Sequence, residues 1–214
     1  MRSNQVSGGS PTFTETARRA QILACAIEAI AESGYGRASL AEIARRAGVS
    51  KGVVSYYFAG KDELLGHVVA DVYARAGAAI STRLASENGP AAQLHGYLEA
   101  NLGFLREHPS DIRAVVEIAA NARRPDGTLR FAPDGADPVL EHLTQLLRAG
   151  QATGDFRDFD ARSVALVIRG AIDTASGRLV TDPGFDLGAY TRELITLAQL
   201  ATRKTPRGDD HECP

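Results

Sequence analysis

Apolar residues recur at helical spacing along almost the whole chain, and no run alternates apolar and polar residues as a half-buried strand does. Such stripes are typical of helices that bury one face. A first helix is expected to start at a Thr12 and Glu15 capping box and to end near Gly34. Its buried stripe is Ile22, Leu23, Ala26, Ile27 and Ile30. The pattern predicts an all-α protein.

The segment 39–64 is predicted to form two short helices joined by a tight turn, followed by the start of a third. The Ser39 hydroxyl is expected to accept a hydrogen bond from the first turn, while Glu42 reaches back to the cap. Gly48 can take the left-handed conformation that ends a helix, and Val49 can fold back on the apolar face. That face consists of Leu40, Ile43, Ala44 and Ala47.

The second helix of this segment has an unusual outward face. Ser50 is expected to cap it, and Val54 and Phe58, four residues apart, are expected to point inward. The outward residues are Lys51, Gly52, Val53, Ser55, Tyr56 and Tyr57. The spacing fits a DNA-reading helix-turn-helix unit. The alternative is an ordinary helical hairpin, because capped helix pairs with a glycine turn are common in all-α proteins.

Charge is distributed unevenly along the 214 residues, although the net charge is only -2. Residues 1–60 carry seven Lys or Arg against four Glu, a balance of +3, so the remainder carries -5. A basic N-terminal part on an acidic body concentrates the attraction for phosphate at one end. The hydrophobic content of 44% leaves enough apolar residues for one large domain or two small ones.

The sequence lacks the usual signals of membrane proteins, secreted proteins, metal-binding proteins and enzymes. There is no apolar run of the roughly 18 to 20 residues that a membrane span needs, and the N-terminus lacks the apolar core of a secretion signal, so a soluble, cytoplasmic protein is expected. The two cysteines, Cys25 and Cys213, form neither a disulfide framework nor a metal site. Without a phosphate loop, nucleophile elbow or metal motif, neither an enzyme nor a cofactor or metal is predicted.

Residues 14–65 resemble the TetR family of transcriptional regulators. The resemblance lies in a bracing helix followed, in order and at the right spacing, by Gly34-Tyr-Gly, Ser39-Leu-Ala-Glu-Ile-Ala, Ala47-Gly-Val-Ser-Lys-Gly, Tyr56-Tyr-Phe and Lys61-Asp-Glu-Leu. It implies a homodimer that binds operator DNA and is released by a small molecule bound among the C-terminal helices. Val53 and Ser55 depart from the family, which often has Thr and Tyr there, so the operator sequence cannot be transferred.

If the second helix of the segment 39–64 lies in the major groove, as the resemblance implies, its residues can be given roles in DNA binding. Lys51 can reach a guanine edge at the start of the reading helix, Gly52 lets the backbone approach, and Val53 can touch a thymine methyl group. Phosphate contacts are expected from the two tyrosines, from Lys61 and from the amides at Ser39. The predicted set is Arg37, Ser39, Lys51, Gly52, Val53, Ser55, Tyr56, Tyr57 and Lys61.

Four segments are predicted from the same patterns. Residues 1–13 form a flexible arm, in which Arg2 either contacts DNA or is simply disordered. Residues 14–60 form the helix-turn-helix domain, 61–204 an effector-binding and dimerisation domain, and 205–214 a flexible tail. The helix that starts at Lys61 is expected to run about five turns. Further starts are expected at Pro90, Ser110, Asp137, Asp160 and Asp186, with nine or ten helices in all.

Polar residues within apolar helices of the C-terminal part suggest a ligand pocket. Asn101 lies among leucines, and Glu117 with Asn121 and Arg169 with Asp173 are pairs four residues apart. The alternative is that each faces solvent or pairs with its neighbour, as Arg169 can with Asp173. The predicted effector-binding residues are Tyr97, Asn101, Phe104, Glu117, Asn121, Leu143, Arg169 and Asp173.

The last two helices are the expected dimer interface, because one carries small residues and the other an apolar stripe. The residues assigned to it are Thr174, Ala175, Tyr190, Leu194 and Leu197. The alternative is that both stripes are buried inside one subunit. Together these features predict a ligand-responsive transcriptional regulator, most simply a repressor. A sensing or interaction module without DNA binding and an all-α enzyme are the competing interpretations.

Overall fold

The computed structural model describes residues 13–131 and 137–204, and within them the secondary structure is helical apart from two isolated β-bridges. The predicted arm with Arg2, the capping residue Thr12 and Cys213 lie outside the described residues. The all-α prediction is confirmed by the nine helices of the described residues. These are α1 (Phe13–Ser33), α2 (Leu40–Arg46), α3 (Lys51–Tyr57), α4 (Lys61–Ala85), α5 (Pro90–Glu107), α6 (Pro109–Asn121), α7 (Pro138–Thr153), α8 (Ala161–Thr181) and α9 (Leu187–Thr202).

The first three helices pack around a small apolar core. Ile22, Ile27 and Ile30 of α1 are buried against Ile43 of α2 and Val54 of α3. The small side chains of Ala44 and Ala47 allow α2 to approach its neighbours closely, and Phe58 closes the end of α3. The helical spacing therefore identified the buried face of each helix correctly.

The turn between α2 and α3 has the predicted conformation. Gly48 has a φ of +64°, and the Val49 amide donates to the carbonyl of Ala44 at 3.0 Å, which is the long-range bond of a Schellman cap. The Ser39 hydroxyl accepts from the Glu42 amide at 3.2 Å, and the Ser50 hydroxyl from the Val53 amide at 3.3 Å. These caps fix where both helices begin.

One half of the predicted capping box is wrong. The amide of Ser39 donates to the carbonyl of Arg37 at 2.8 Å, so it has no need of the Glu42 side chain. The Glu42 carboxylate instead accepts from Arg45 at 2.7 Å and from Arg46 at 2.8 Å. Two guanidinium groups one turn further along the helix attract the carboxylate more strongly than a backbone amide does.

Helix α4 joins the N-terminal helices to the rest of the molecule. It runs for 25 residues, which is about seven turns rather than the five expected, because the helix continues past Ile80, its last buried residue, to Ala85. It packs against α1, α5 and α6. Helix α5 lies at the centre of the C-terminal part, where it contacts α4, α7, α8 and α9.

The predicted starts of the later helices are confirmed with one exception. Asp137, Asp160 and Asp186 each accept a hydrogen bond from an amide of the first turn of α7, α8 and α9. Helix α6, however, begins at Pro109 rather than after a Ser110 cap, since proline already has the backbone angle of a first helical residue.

Three further observations concern the described residues as a group. Each of their helices is either too short or too polar to cross a membrane. They contain no cluster of three His, Cys, Asp or Glu side chains suited to a metal ion. Cys25 is partly buried against the core, and this burial raises the pKa of its thiol.

Candidate nucleic-acid interface and internal cavity

Helix α3 presents most of its predicted residues to solvent. Lys51, Gly52 and Ser55 are exposed, and Tyr56 is 74% exposed. Tyr57 is half-buried and packs edge-on against Tyr56, with their ring centroids 5.1 Å apart. The helix carries no acidic residue. Its outer face therefore offers a cation, a hydroxyl and a phenol to a negatively charged partner without a carboxylate to repel it.

Arg19 of α1 holds the C-terminal end of α3, a role that the sequence analysis missed. Its guanidinium donates to the carbonyl of Tyr57 at 3.3 Å and lies over the Phe58 ring, 4.7 Å from the centroid. The same guanidinium is 2.6 Å from the imidazole of His67 on α4. No local signal predicts this contact, because 38 residues separate Arg19 from Tyr57.

Other cations surround α3. Arg45 and Arg46 hydrogen-bond to the Glu42 carboxylate and lower the pKa of Glu42 to about 2, so this carboxylate stays ionised and paired. Arg37 is exposed and donates to the carbonyl of Ser33 at 3.0 Å. Ser39 is exposed as well, although its hydroxyl is used as a cap.

Lys61 is placed differently from the expected solvent-facing phosphate contact. Its ammonium donates to the carbonyl of Tyr35 at 2.6 Å and lies 4.3 Å from the centre of the Tyr35 ring. Partial burial lowers the pKa of Lys61, although the Asp62 charge opposes the shift. An ammonium has three donors, so a phosphate contact stays a prediction, but the side chain also braces the start of α4.

Glu117 contacts the N-terminal domain rather than a ligand pocket. Its carboxylate accepts from the amide of Tyr35 at 3.2 Å, which joins α6 to the connection after α1. Asn121, one turn further on, is exposed and donates to the carbonyl of Glu117. The four-residue spacing placed these two on one face correctly, but that face is directed at α1. Neither residue lines the cavity described next.

A cavity of about 700 Å³ lies between α4, α5, α6 and α8, beside the start of α7. Four of the predicted effector-binding residues line it, namely Asn101, Phe104, Arg169 and Asp173. Tyr97 and Leu143 are instead buried in the core. Most of the remaining lining is apolar and includes Val69, Val72, Ile80, Leu105, Ile112, Val115, Val116, Phe131 and Ile172.

The polar residues of this cavity are connected to one another. The Arg169 guanidinium is 3.1 Å from the Asp173 carboxylate and donates to the Tyr73 hydroxyl at 3.2 Å. Burial raises the pKa of Asp173, with a further contribution from Asp137, and the Arg169 charge opposes both. The buried Tyr97 hydroxyl has no hydrogen-bond partner in the described residues, and burial raises its pKa. The Arg169 charge and the nearby Asn101 side chain oppose this rise in the pKa of Tyr97, whereas the charges of Asp137 and Asp173 add to it.

An exposed apolar surface spans α8 and α9, where the dimer interface was expected. Val167 is 72% and Leu197 62% exposed, and a groove of about 560 Å³ lies between the two helices. Thr174 is exposed too. Ala175, by contrast, is buried within the subunit, so that part of the predicted interface is wrong, whereas Leu194 is also buried but lines the groove. The Tyr190 hydroxyl donates to the carbonyl of Ala171 at 2.8 Å, which ties α9 to α8.

Comparison with known proteins agrees with this architecture. Residues 22–68 match the family of bacterial regulatory proteins described as the tetR family. The N-terminal part of the chain is thus similar to the TetR family. A curated relative, the HTH-type transcriptional regulator BetI of Pectobacterium carotovorum, is 40% identical over 86 residues, which cover 39% of this chain and 44% of the relative. The chain thus spans less than half the length of the curated relatives it matches.

Solved structures of the TetR type extend the likeness over the C-terminal helices. A crystal structure of a TetR-family regulator from Rhodococcus sp. has a TM-score of 0.73 at 23% identity and covers 87% of this chain and 98% of its own. The fatty acid degradation regulator FadR of Bacillus halodurans has a TM-score of 0.70, also at 23% identity, covering 84% and 96%. These two likenesses show that most of the chain has the TetR fold.

Proposed function

We propose that this chain is a TetR-family transcriptional regulator that binds operator DNA as a homodimer and is released by a small molecule in the cavity. The observation that carries the proposal is the outer face of α3, which is exposed, free of acidic groups and mounted on a helix-turn-helix that matches this family. Repression by blocking access of other proteins to the DNA is the simplest consequence of such binding.

The residues of α3 have distinct roles in the proposed complex. Lys51 reads a guanine edge, Val53 contacts a thymine methyl group, and Gly52 leaves room for the backbone to approach the groove. Tyr56 and Tyr57 contact phosphates, which position the helix without specifying sequence. Ser55, which precedes the two tyrosines, is exposed and reads or excludes a base.

A homodimer is supported by the exposed apolar residues of α8 and α9. Contiguous apolar surface of this kind marks association sites in soluble proteins. The four large exposed side chains are Leu166, Val167, Leu197 and Leu200. Two such surfaces facing each other form a four-helix contact and place the two copies of α3 in successive major grooves, roughly 34 to 36 Å apart.

Communication between the cavity and the DNA-binding domain is supported by two contacts with Tyr35. Helices α4 and α6 both line the cavity, and each also holds the Tyr35 peptide, through Lys61 and Glu117 respectively. A ligand that moves α4 relative to α6 therefore changes the position of the connection between α1 and α2. This change alters the angle of α3 relative to the partner subunit.

The test is binding of the full chain to DNA upstream of its own gene, measured by fluorescence anisotropy at several salt concentrations. Lys51→Ala should lose about 1–3 kcal/mol of specific binding and relax the preference at one base pair. Lys204→Ala is the matched control, because it removes the same charge at the far end of the chain. It should bind like the unmodified protein.

The competing interpretation is a sensing module that does not bind DNA. It predicts that the unmodified chain binds its upstream DNA no better than unrelated DNA and that Lys51→Ala changes nothing. Either result would remove the proposed function.

A further inference from the structure

Each charged side chain described in the cavity wall already has a partner within the protein. Arg169 pairs with Asp173 at 3.1 Å, and Arg130 with Asp62 at 3.2 Å. Asp137 accepts from the amides of Val139 and Leu140 at 2.9 and 3.2 Å, at the start of α7, where the helix dipole also favours a negative charge. Each charged group of the described wall is therefore already held within the protein, Asp137 by amides and the other three by ion pairs.

The rest of the wall is apolar with a few neutral polar groups. The Tyr73 hydroxyl, the Asn101 amide and the Ser176 hydroxyl are close to an otherwise aliphatic and aromatic surface. The volume of about 700 Å³ is in the range of pockets that hold drug-sized molecules.

A charged ligand would have to break an existing pair or lie beside like charges. A carboxylate at the Arg169 guanidinium would either displace Asp173 or lie beside two carboxylates that repel it, because the charge of Asp137 also acts on Asp173. An ammonium that took Asp173 as its partner would leave the mostly buried Arg169 guanidinium without its counter-charge. Repulsion between like charges and the cost of leaving a partly buried charge unpaired both make an ion bind more weakly than a neutral molecule of the same shape.

We propose that the cavity takes an uncharged, mainly apolar ligand whose alcohol or carbonyl oxygen hydrogen-bonds at the end formed by Tyr73, Asn101 and Arg169. That this ligand is the effector rests on the proposed function; the selection against charge rests on the cavity alone. A neutral oxygen accepts from Arg169 or Tyr73 without removing Asp173 from its partner, because guanidinium has five donors.

The experiment compares four probes with the same chain length, decan-1-ol, decan-2-one, decanoate and decylammonium, by calorimetric titration of the full chain at neutral pH. The alcohol and the ketone should bind, and the two ions should bind roughly tenfold or more weakly. Tighter binding of either ion, or no binding of any probe, would overturn the proposal. This ranking is measured on the unmodified protein and needs no variant.

Two variants test the physical cause. Asp173→Asn leaves the Arg169 charge uncompensated, so the preference should shift towards decanoate by roughly tenfold. Arg169→Gln leaves Asp173 uncompensated and should shift it towards decylammonium. The control is Arg178→Gln, which removes an exposed guanidinium of α8 that is 3.9 Å from Asp182 and outside the cavity. It should leave the ranking unchanged. Unshifted preferences in both cavity variants, with native circular dichroism, would show that the pair does not control selectivity.

Failure of this proposal is distinguishable from failure of the proposed function. If the chain binds its upstream DNA and decanoate releases it while decan-2-one does not, the regulator stands and the neutral-ligand proposal falls. If neutral probes bind with the expected preference but no specific DNA binding occurs, the cavity proposal stands and the regulatory function falls.

Discussion

The phenol of Tyr97 is unusual at the level of a single residue. The side chain is 1% exposed, and its hydroxyl has no hydrogen-bond partner among the described residues. Removing a hydroxyl from water without replacing its hydrogen bonds costs free energy, so most buried tyrosines have a partner. The ring of Tyr97 stabilises the core, while its oxygen opposes that stabilisation.

We therefore expect Tyr97→Phe to raise the free energy of unfolding by about 1 kcal/mol or to leave it unchanged, because an unpaired buried polar group is removed. Urea denaturation of the ligand-free protein measures the change. Tyr190→Phe is the matched control, since its hydroxyl donates to the Ala171 carbonyl at 2.8 Å. That variant should lose about 0.5–1.5 kcal/mol. A larger loss for Tyr97→Phe than for Tyr190→Phe would show that the Tyr97 hydroxyl has a partner.

The ion pairs of Glu42 should make the stability of the folded protein depend on pH. Hydrogen bonds from Arg45 and Arg46 lower the pKa of Glu42 from 4.5 to about 2, so the folded protein favours the ionised form more than the unfolded chain does. The resulting stabilisation is fully present above pH 4.5 and is lost as the pH falls towards 2. Glu42→Gln should accordingly be less stable than the unmodified protein at neutral pH, and the difference should shrink over this acid range. A difference that is constant with pH would contradict the assignment.

At the level of elements, α7 shows how a glycine can permit packing inside a helix. A Cβ atom at Gly150 would lie 2.1 Å from the nearest atom of the Phe156 ring, so the ring packs directly on the helix backbone. Phe156 is buried, and its amide donates to the carbonyl of Gly150. Helix α7 continues past Gly150 to Thr153 and ends at Gly154, which has a φ of +79°.

Gly150→Ala should destabilise the protein by about 1–3 kcal/mol, because the new methyl group displaces a buried aromatic ring. Gly66→Ala is the control, since a Cβ there meets nothing within 4 Å inside α4. It should stabilise by about 0.5–1 kcal/mol through the better helix propensity of alanine. Thermal unfolding of both variants checks the pair. Equal effects of the two substitutions would mean that Phe156 can move aside without cost.

At the level of the whole molecule, Tyr35 is one of the places where the two domains meet through hydrogen bonds. Its amide donates to Glu117 of α6, 82 residues away in sequence, and its carbonyl accepts from Lys61 of α4. Arg113 of α6 adds a third link, because it donates to the carbonyl of Val180 on α8 and, at 3.5 Å, to that of Ala31 on α1. The position of α6 relative to α1 is thus fixed by a few long-range bonds in addition to apolar packing.

Glu117→Ala should remove the partner of the Tyr35 amide and loosen this contact. We expect faster hydrogen exchange in residues 31–38 and a loss of about 1–3 kcal/mol in stability, as for hydrogen bonds to charged groups. Asn121→Ala is the control on the same helix, because its side chain bonds only to the Glu117 carbonyl. Exchange in residues 31–38 that matches the unmodified protein would show that apolar packing alone holds the two domains together.

The proposed homodimer depends on the exposed apolar surface of α8 and α9. Leu197→Arg places a charge in the exposed apolar surface of α8 and α9, so the protein should sediment as a folded monomer at micromolar concentration. Leu129→Arg is the control, since Leu129 is also exposed but lies in the loop after α6. That variant should keep the mass of the unmodified protein. A monomeric unmodified chain would remove the homodimer.

Local physical chemistry allowed the sequence by itself to determine most of the N-terminal domain. A serine cap, a glycine with positive φ and an apolar stripe each act over a few residues, so Ser39, Gly48 and Ser50 could be assigned without knowledge of the rest of the chain. The same is true of the aspartate caps at Asp137, Asp160 and Asp186. The local error at Glu42 arose from competition between two nearby partners, the backbone and the arginines, and the error at Ser110 arose because Pro109 already starts α6.

Tertiary structure decided which neighbour each polar or apolar face meets. Periodicity places Glu117 and Asn121 on one face of α6, yet only packing directs that face to α1 and leaves Arg169 and Asp173 in the cavity. Likewise, α8 has apolar residues on more than one side, and the position of α9 determines that Ala175 is buried while Val167 is exposed. Helix periodicity reports only which residues share a face; contacts between residues far apart in sequence depend on how the helices pack.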